Sequence, residues 1–227
     1  MALYVIGDTH LSLSTNKPMD VFYGWQNYME ILSENWRSKI TSQDTVVIAG
    51  DVSWGLSLEE SLLDFEYLQG LPGQKLLMKG NHDYWWTTRT KMESFFKEHG
   101  LDTIKILHNN SVAVEEKAIC GSRGWLFEKG EAHDIKIINR EAARLEMSLK
   151  AAKPGLEKVV FLHYPPIYGE CITAEIIDVL LKYQVKRCYY GHIHSRATAY
   201  ACNGIYMGID FQLISGDYIK FDPVLVK

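Results

Sequence analysis

The sequence predicts an α/β fold with room for two sheets. Short apolar runs alternate with amphipathic stretches through most of the chain, nearly every run is closed by a glycine, and the tail is rich in short strands. Residues 3–6 form a brief, partly β-branched run ended by Gly7, the signature of a strand. Residues 19–40 carry Phe22, Trp25, Tyr28, Met29, Leu32, Trp36 and Ile40 at three- and four-residue intervals, which predicts one amphipathic helix. Residues 45–49 are a second buried strand, closed by Gly50. Ser57-Leu58-Glu59-Glu60 reads as a capping box opening a helix that stops before Gly70. Residues 75–78 are a third strand, and 88–99 a helix ended by Gly100.

Alternation over 103–107 and 111–119 predicts two further strands. Residues 134–152 are helical by periodicity and stopped by Pro154-Gly155. A strand at 159–162, a helix at 173–184 and a strand at 187–190 reaching Gly191 follow. From residue 197 onward three or four short strands are expected, with turns at Asn203-Gly204 and Ser215-Gly216-Asp217. With no repeat, linker or low-complexity tract, residues 1–227 read as one domain.

Composition removes several function classes. The hydrophobic fraction of 47% and charged fraction of 23% are those of an ordinary globular protein. A net charge of −4 without any basic block excludes a general nucleic-acid binder. Cys120, Cys171, Cys188 and Cys202 have no C-x-x-C spacing and read as incidental thiols in a reducing compartment. The N-terminus reads as a first strand rather than a signal peptide, and no apolar run approaches the ~20 residues of a membrane span. A cytoplasmic protein with no membrane partner is expected.

Function is written at the strand ends. Five apolar strands finish in Gly7-Asp8-Thr9-His10, Gly50-Asp51, Gly80-Asn81-His82-Asp83, His163 and Gly191-His192-Ile193-His194. In open α/β sheets ligands bind beyond the carboxyl ends of the strands. Asp8 with His10, and His192 with His194, are two residues apart, so an extended backbone aims each pair to one side. Two carboxylates, one amide and four imidazoles, without sulfur, suit manganese, iron, zinc or cobalt in an open site. Seven ligand groups exceed one tetrahedral ion and fit two ions at the roughly 3.5–4 Å spacing of two-metal hydrolases. His99, His108 and His133 lie off the strand ends and read as surface or helix-packing residues. Arg123, in Gly121-Ser122-Arg123-Gly124-Trp125, is a candidate for a second substrate anion, with a solvated loop arginine as the alternative. Tyr84, beside Trp85 and Trp86, is a candidate for stacking on a base or sugar, with core packing as the alternative.

In the order D-x-H, G-D, G-N-H-D, H and G-H-x-H, these motifs resemble those of the calcineurin-like metallophosphoesterase superfamily over residues 8–194. The resemblance implies a four-layer α/β/β/α sandwich of two mixed sheets with a dinuclear metal centre at its rim. By motif position it assigns Asp8, His10 and His194 to one ion, Asn81, His163 and His192 to the other, and Asp51 to the bridge. It leaves His82 free of metal and facing the leaving group. The phosphoprotein-phosphatase branch has Asp and Arg three and four residues after the bridging Asp, where this chain has Trp54 and Gly55. The wording of the motifs is closer to the phosphodiesterase and nuclease branches.

The expected activity is hydrolysis of a phosphate mono- or diester by a metal-bridging hydroxide, with His82 as general acid. A nuclease of the same superfamily and a non-catalytic binding scaffold are the alternatives. Whether Asp83 or a more distant carboxylate orients His82 is left open by the sequence.

Overall fold

The protein is described by a computed structural model covering residues 1–126 and 135–227; His133 therefore lies outside the described residues. The first half contains β1 (Leu3–Ile6), α1 (Tyr28–Lys39), β2 (Thr45–Ile48), α2 (Leu62–Gln69), β3 (Gln74–Leu77), α3 (Arg89–Glu98) and β4 (Ile104–Ile106). Then follow β5 (Val112–Val114), β6 (Lys117–Ser122), α4 (Ile135–Lys150), β7 (Glu157–Leu162), β8 (Ile167–Tyr168), β9 (Cys171–Ile172) and α5 (Ala174–Lys182). The chain finishes with β10 (Arg187–Tyr190), β11 (Gly204–Tyr206), β12 (Ile209–Leu213) and β13 (Val224–Leu225).

Two large mixed sheets result, ordered β13-β1-β2-β3-β4 and β11-β12-β10-β7-β6-β5. Within each, the inner strands are parallel and antiparallel partners sit at edges: β13 on β1, β11 on β12 and β5 on β6. Parallel strands covered on both faces need apolar residues at every position, and the two periods of β2 divide accordingly. Val46 and Ile48 pack with residues of α1, α2 and α3, while Val47 and Ala49 join a core shared by the two sheets. On β7, Val160 and Leu162 meet residues of α4 and α5, and Val159 and Phe161 enter that shared core. Helix, sheet, sheet and helix therefore stack in four layers, as the resemblance implied.

Both sheets are stitched together at the edge where their parallel strands end. The Gly7 amide, just past β1, donates to the Ile214 carbonyl, just past β12, at 2.8 Å. That seam holds the ligand-bearing ends of the two sheets side by side.

Several local expectations are corrected. The helix expected over 19–40 begins only at Tyr28, because Gly24 (φ 88°) and Asn27 (φ 53°) take left-handed backbone and break the preceding turn. Phe22 is accordingly 54% exposed whereas Trp25 is buried. The capping-box contacts exist, Ser57 Oγ accepting from the Glu60 amide at 3.2 Å, but on a turn ahead of α2. The single strand expected over 111–119 is part of the β5–β6 hairpin, turning at Glu115 with φ 52°. In the tail the turn falls at Met207-Gly208, both at positive φ, and Gly204 lies inside β11. The β8–β9 hairpin was not expected at all. All four cysteines are free. Among the described residues no helix is long and apolar enough to cross a membrane.

Candidate metal centre

The residues past β1, β2, β3, β7 and β10 meet at the stitched edge. Asp8, His10, Asp51 and His192 all have left-handed backbone, with φ of 57°, 42°, 50° and 73°. Such conformations cost on the order of 1–3 kcal/mol each in non-glycine residues and persist only where surroundings enforce them. Hydrogen bonds between the loops provide the enforcement. The Asp8 amide donates to Gly50 O at 3.0 Å and the His10 amide to Asp51 O at 2.9 Å. The His192 amide donates to the Asp8 carboxylate at 2.9 Å, and the His82 amide to Asp51 Oδ1 at 2.8 Å. Gly80 and Gly191 are there for close approach. A Cβ on the first would stand 2.0 Å from Asp51 Oδ1, and on the second 2.5 Å from Asp8 Oδ2.

Asp51 Oδ2 lies 3.6 Å from His10 Nε2 and 3.6 Å from His163 Nε2. Asp8 Oδ1 lies 3.6 Å from His194 Nε2 and 3.7 Å from His163 Nδ1. Asn81 Oδ1 is 2.7 Å from His163 Nε2, and the His192 ring centroid is 5.1 Å from that of His163. Two sets of ligand atoms, Asp8/His10/His194 and Asp8/Asp51/His163, each lie within 4.8 Å of one another and could hold an ion. Seven side chains spread over nearly the whole sequence are thus brought to one place.

Outer contacts fix two of the imidazoles. Asp217 Oδ1 is 2.8 Å from His194 Nδ1, while its Oδ2 accepts the Ser195 amide at 2.9 Å. His163 Nδ1 lies 3.1 Å from the Ala49 carbonyl. In each case the partner can accept an Nδ1 proton, which turns Nε2 toward the cluster, where it would supply a lone pair to a bound ion. Asp217 was not among the residues expected at the site; only its place in a Gly-Asp turn hinted at it.

Asp83 does not orient His82. Its carboxylate accepts from the amides of Asp51 (2.9 Å), Val52 (2.8 Å) and Gly80 (2.7 Å) and from Trp85 Nε1 (3.0 Å). It is a clamp on the backbone that carries Asp51. His82 Nδ1 is buried without a protein partner, as is His10 Nδ1.

Charge in this cluster is set by burial and by the pairing of Asp8 with the imidazoles around it. Burial, and then the adjacent Asp8, push the Asp51 carboxyl up to about 8. Burial acts the same way on Asp8, but the His194, His163 and His10 imidazoles overcome it and hold Asp8 well below the usual carboxylate range. Burial pushes His10 and His192 down to about 3 and His163 down as well, keeping their lone pairs available. Burial opposes protonation of His194 too, yet Asp8 and Asp217 raise it to about 10. Asp51 is thereby driven toward its neutral acid and His194 toward an imidazolium beside Asp8, so protons hold the charge that a cation among these groups would take over. Sulfur-free nitrogen and oxygen ligands fit a first-row divalent ion there.

An aromatic wall flanks this cluster. The Trp54 ring stacks on His10 at 4.9 Å and 22° and approaches His82 at 4.5 Å. Trp25 meets His10 at 5.6 Å and His194 at 5.7 Å. Tyr84 is 57% exposed with its ring 6.2 Å from His82, at the mouth, whereas Trp85 is buried in the core. Arg123 lies 3.6 Å from the buried Glu141 and 4.9 Å from the Trp125 ring centroid. His99 packs on Phe95 and His108 on Trp86, as expected of residues off the strand ends. A cleft of about 970 Å³ opens beside His194, lined also by Tyr23, Arg196, Asp217 and Tyr218.

Residues 1–196 match the family model for calcineurin-like phosphoesterases. No curated protein sequence matches the chain significantly. Among solved structures, the phosphopantetheinyl hydrolase PptH from Mycobacterium tuberculosis aligns with a TM-score of 0.61 at 13% identity. That alignment covers 99% of this chain and 95% of the other. AQ665 from Aquifex aeolicus, a protein of unknown function, aligns with a TM-score of 0.55 at 14% identity over 99% and 95% of the two chains. At these identities the likeness concerns the fold.

Proposed function

The chain belongs to the calcineurin-like phosphoesterase family, whose members are metal-dependent hydrolases of phosphoesters, and on that premise we propose a dinuclear phosphoesterase acting on a small-molecule or nucleotide mono- or diester. The observation that carries this reading is the position of Asp51 Oδ2, equidistant from His10 and His163 at 3.6 Å. Asp8, His10 and His194 would hold one ion, Asn81, His163 and His192 the second, and Asp51 both. Bound divalent ions supply a water of lowered pKa and neutralise charge on the phosphate.

The remaining work falls to the chain's own groups. Asp217 and the Ala49 carbonyl keep His194 and His163 turned so that Nε2 faces inward. Asp83 holds the Asp51 backbone, and the His82 amide fixes the Asp51 carboxylate. His82 delivers a proton to the leaving oxygen. Burial, then the charges of His163 and Lys17, push its pKa down, so the substrate's negative charge must raise it for the acid form to be present. The cleft beside His194 takes the organic part of the ester.

The test is hydrolysis of p-nitrophenyl phosphate and bis-p-nitrophenyl phosphate by manganese-loaded protein. His82→Ala is expected to keep its metal and lose ~10²–10⁴-fold on an ester with a poor leaving group. An unchanged rate would remove His82 from this role. Wild-type protein that binds manganese and cleaves neither ester would favour the scaffold alternative.

A further inference from the structure

Among the described residues, Lys17 stands beside the centre without a carboxylate partner. Lys17 Nζ lies 4.2 Å from the centroid of the Trp54 indole, the ring that also contacts His10 and His82. A cation within about 6 Å of an indole face is held there by the ring quadrupole. Among the described residues Lys17 is in no ion pair. By contrast, Lys39 is paired with Asp222, and Lys150 and Lys182 are paired with Glu146.

The loop bearing Lys17 is fastened to the segment bearing Trp54. The Trp54 amide donates to Leu11 O at 2.9 Å, and the Leu13 amide donates to Asp64 Oδ1 at 2.8 Å. Asp64 Oδ2 in turn accepts from Ser53 Oγ at 2.5 Å, one residue before Trp54. The start of the loop that leads to Lys17 and the segment that carries Trp54 therefore share a buried anchor at Asp64, although Lys17 itself is exposed.

We propose that Lys17, seated on Trp54 beside His82, binds a non-bridging oxygen of the substrate phosphate and biases the site toward monoesters over diesters. This rests on the phosphoesterase reading above and names its substrate class. A phosphate monoester at neutral pH carries one more negative charge and one more free oxygen than a diester. An ammonium whose N–H donors meet no acceptor among the described residues matches both. The indole supplies a flat, weakly attractive seat that keeps the ammonium in place without neutralising it.

The test compares wild type, Lys17→Met and Lys17→Arg, all loaded with manganese, on p-nitrophenyl phosphate and bis-p-nitrophenyl phosphate. Lys17→Met is expected to lose about tenfold in kcat/KM on the monoester, mostly through KM, and less than about threefold on the diester. Lys17→Arg should recover most of the monoester activity, since the charge is kept. Calorimetric titration with inorganic phosphate should show about tenfold weaker binding to Lys17→Met than to wild type. Equal losses on both esters, or phosphate binding unaltered by Lys17→Met, would overturn the proposal. Should wild type cleave neither ester, the phosphoesterase reading fails by itself, and the phosphate titration still decides whether Lys17 is an anion site.

Discussion

Asp217 and His194 are joined at 2.8 Å, carboxylate oxygen to imidazole Nδ1, across the turn that follows β12. This one contact sets the tautomer of a candidate metal ligand and raises its basicity. Asp217→Asn replaces the acceptor's charge and should weaken metal affinity by about 10–100-fold. The fold should survive, because the second oxygen serves only the Ser195 amide. A manganese titration of activity should therefore shift to higher metal concentration and reach a plateau near the wild-type rate.

Asp51→Asn should be more severe. The amide keeps the shape but loses the charge shared between the two halves of the cluster. At least one equivalent of metal and nearly all activity should be lost, as read by metal analysis of the purified variant. A fully metallated, active variant would refute the bridging role.

Gly80→Ala tests how tightly the loops are interlocked. The new Cβ would stand 2.0 Å from Asp51 Oδ1 and 2.2 Å from the Asp51 amide nitrogen, so the Asp51 carboxylate or its backbone must move. Activity should fall by about 10²-fold or more, since a displacement near 1 Å at reacting groups suffices for that. Gly100→Ala is a useful contrast, because its Cβ would meet nothing within 4 Å and only its φ of 66° opposes the change. It should lower stability slightly and leave catalysis intact.

Lys75 offers a pH test remote from the centre. Its side chain is fully buried under β3 and donates to the Leu71 carbonyl and to Thr103 Oγ1. Burial, with some repulsion from Arg37, pushes its pKa down from 10.5 to about 8. Between those values the unfolded chain binds more protons than the folded one, so stability contributed at this site rises with pH. Measured by urea denaturation, wild type should gain about 2 kcal/mol relative to Lys75→Met as pH rises from 8 toward 10.5. A difference that is flat over that window would mean the amine is solvated in the folded state.

Much of the site could be read from the chain because its ligands sit at the ends of short apolar strands, and strands announce themselves by local composition. Asp8, His10, Asp51, Asn81, His163, His192 and His194 are candidate ligands by this reading, and the structure brings every one of them to the same sheet edge. The periodicity of 19–40 misled for a related reason. It reports which residues are apolar, and Phe22 and Trp25 satisfy the spacing although only Trp25 is buried.

What periodicity cannot report is which polar atoms meet through space. Asp83 belongs to a strand-end motif, yet its oxygens are consumed by the Asp51, Val52 and Gly80 amides. Asp217 and Lys17 carry no pattern of their own; each reaches the cluster only through contacts to residues distant in sequence. The positions of the main strands and the types of the candidate ligands follow from side-chain chemistry repeated along the chain, whereas the order of strands in each sheet does not. Which carboxylate turns which histidine, and which lysine rests on which indole, are set only when two sheets close against a shared core and carry their loops into contact.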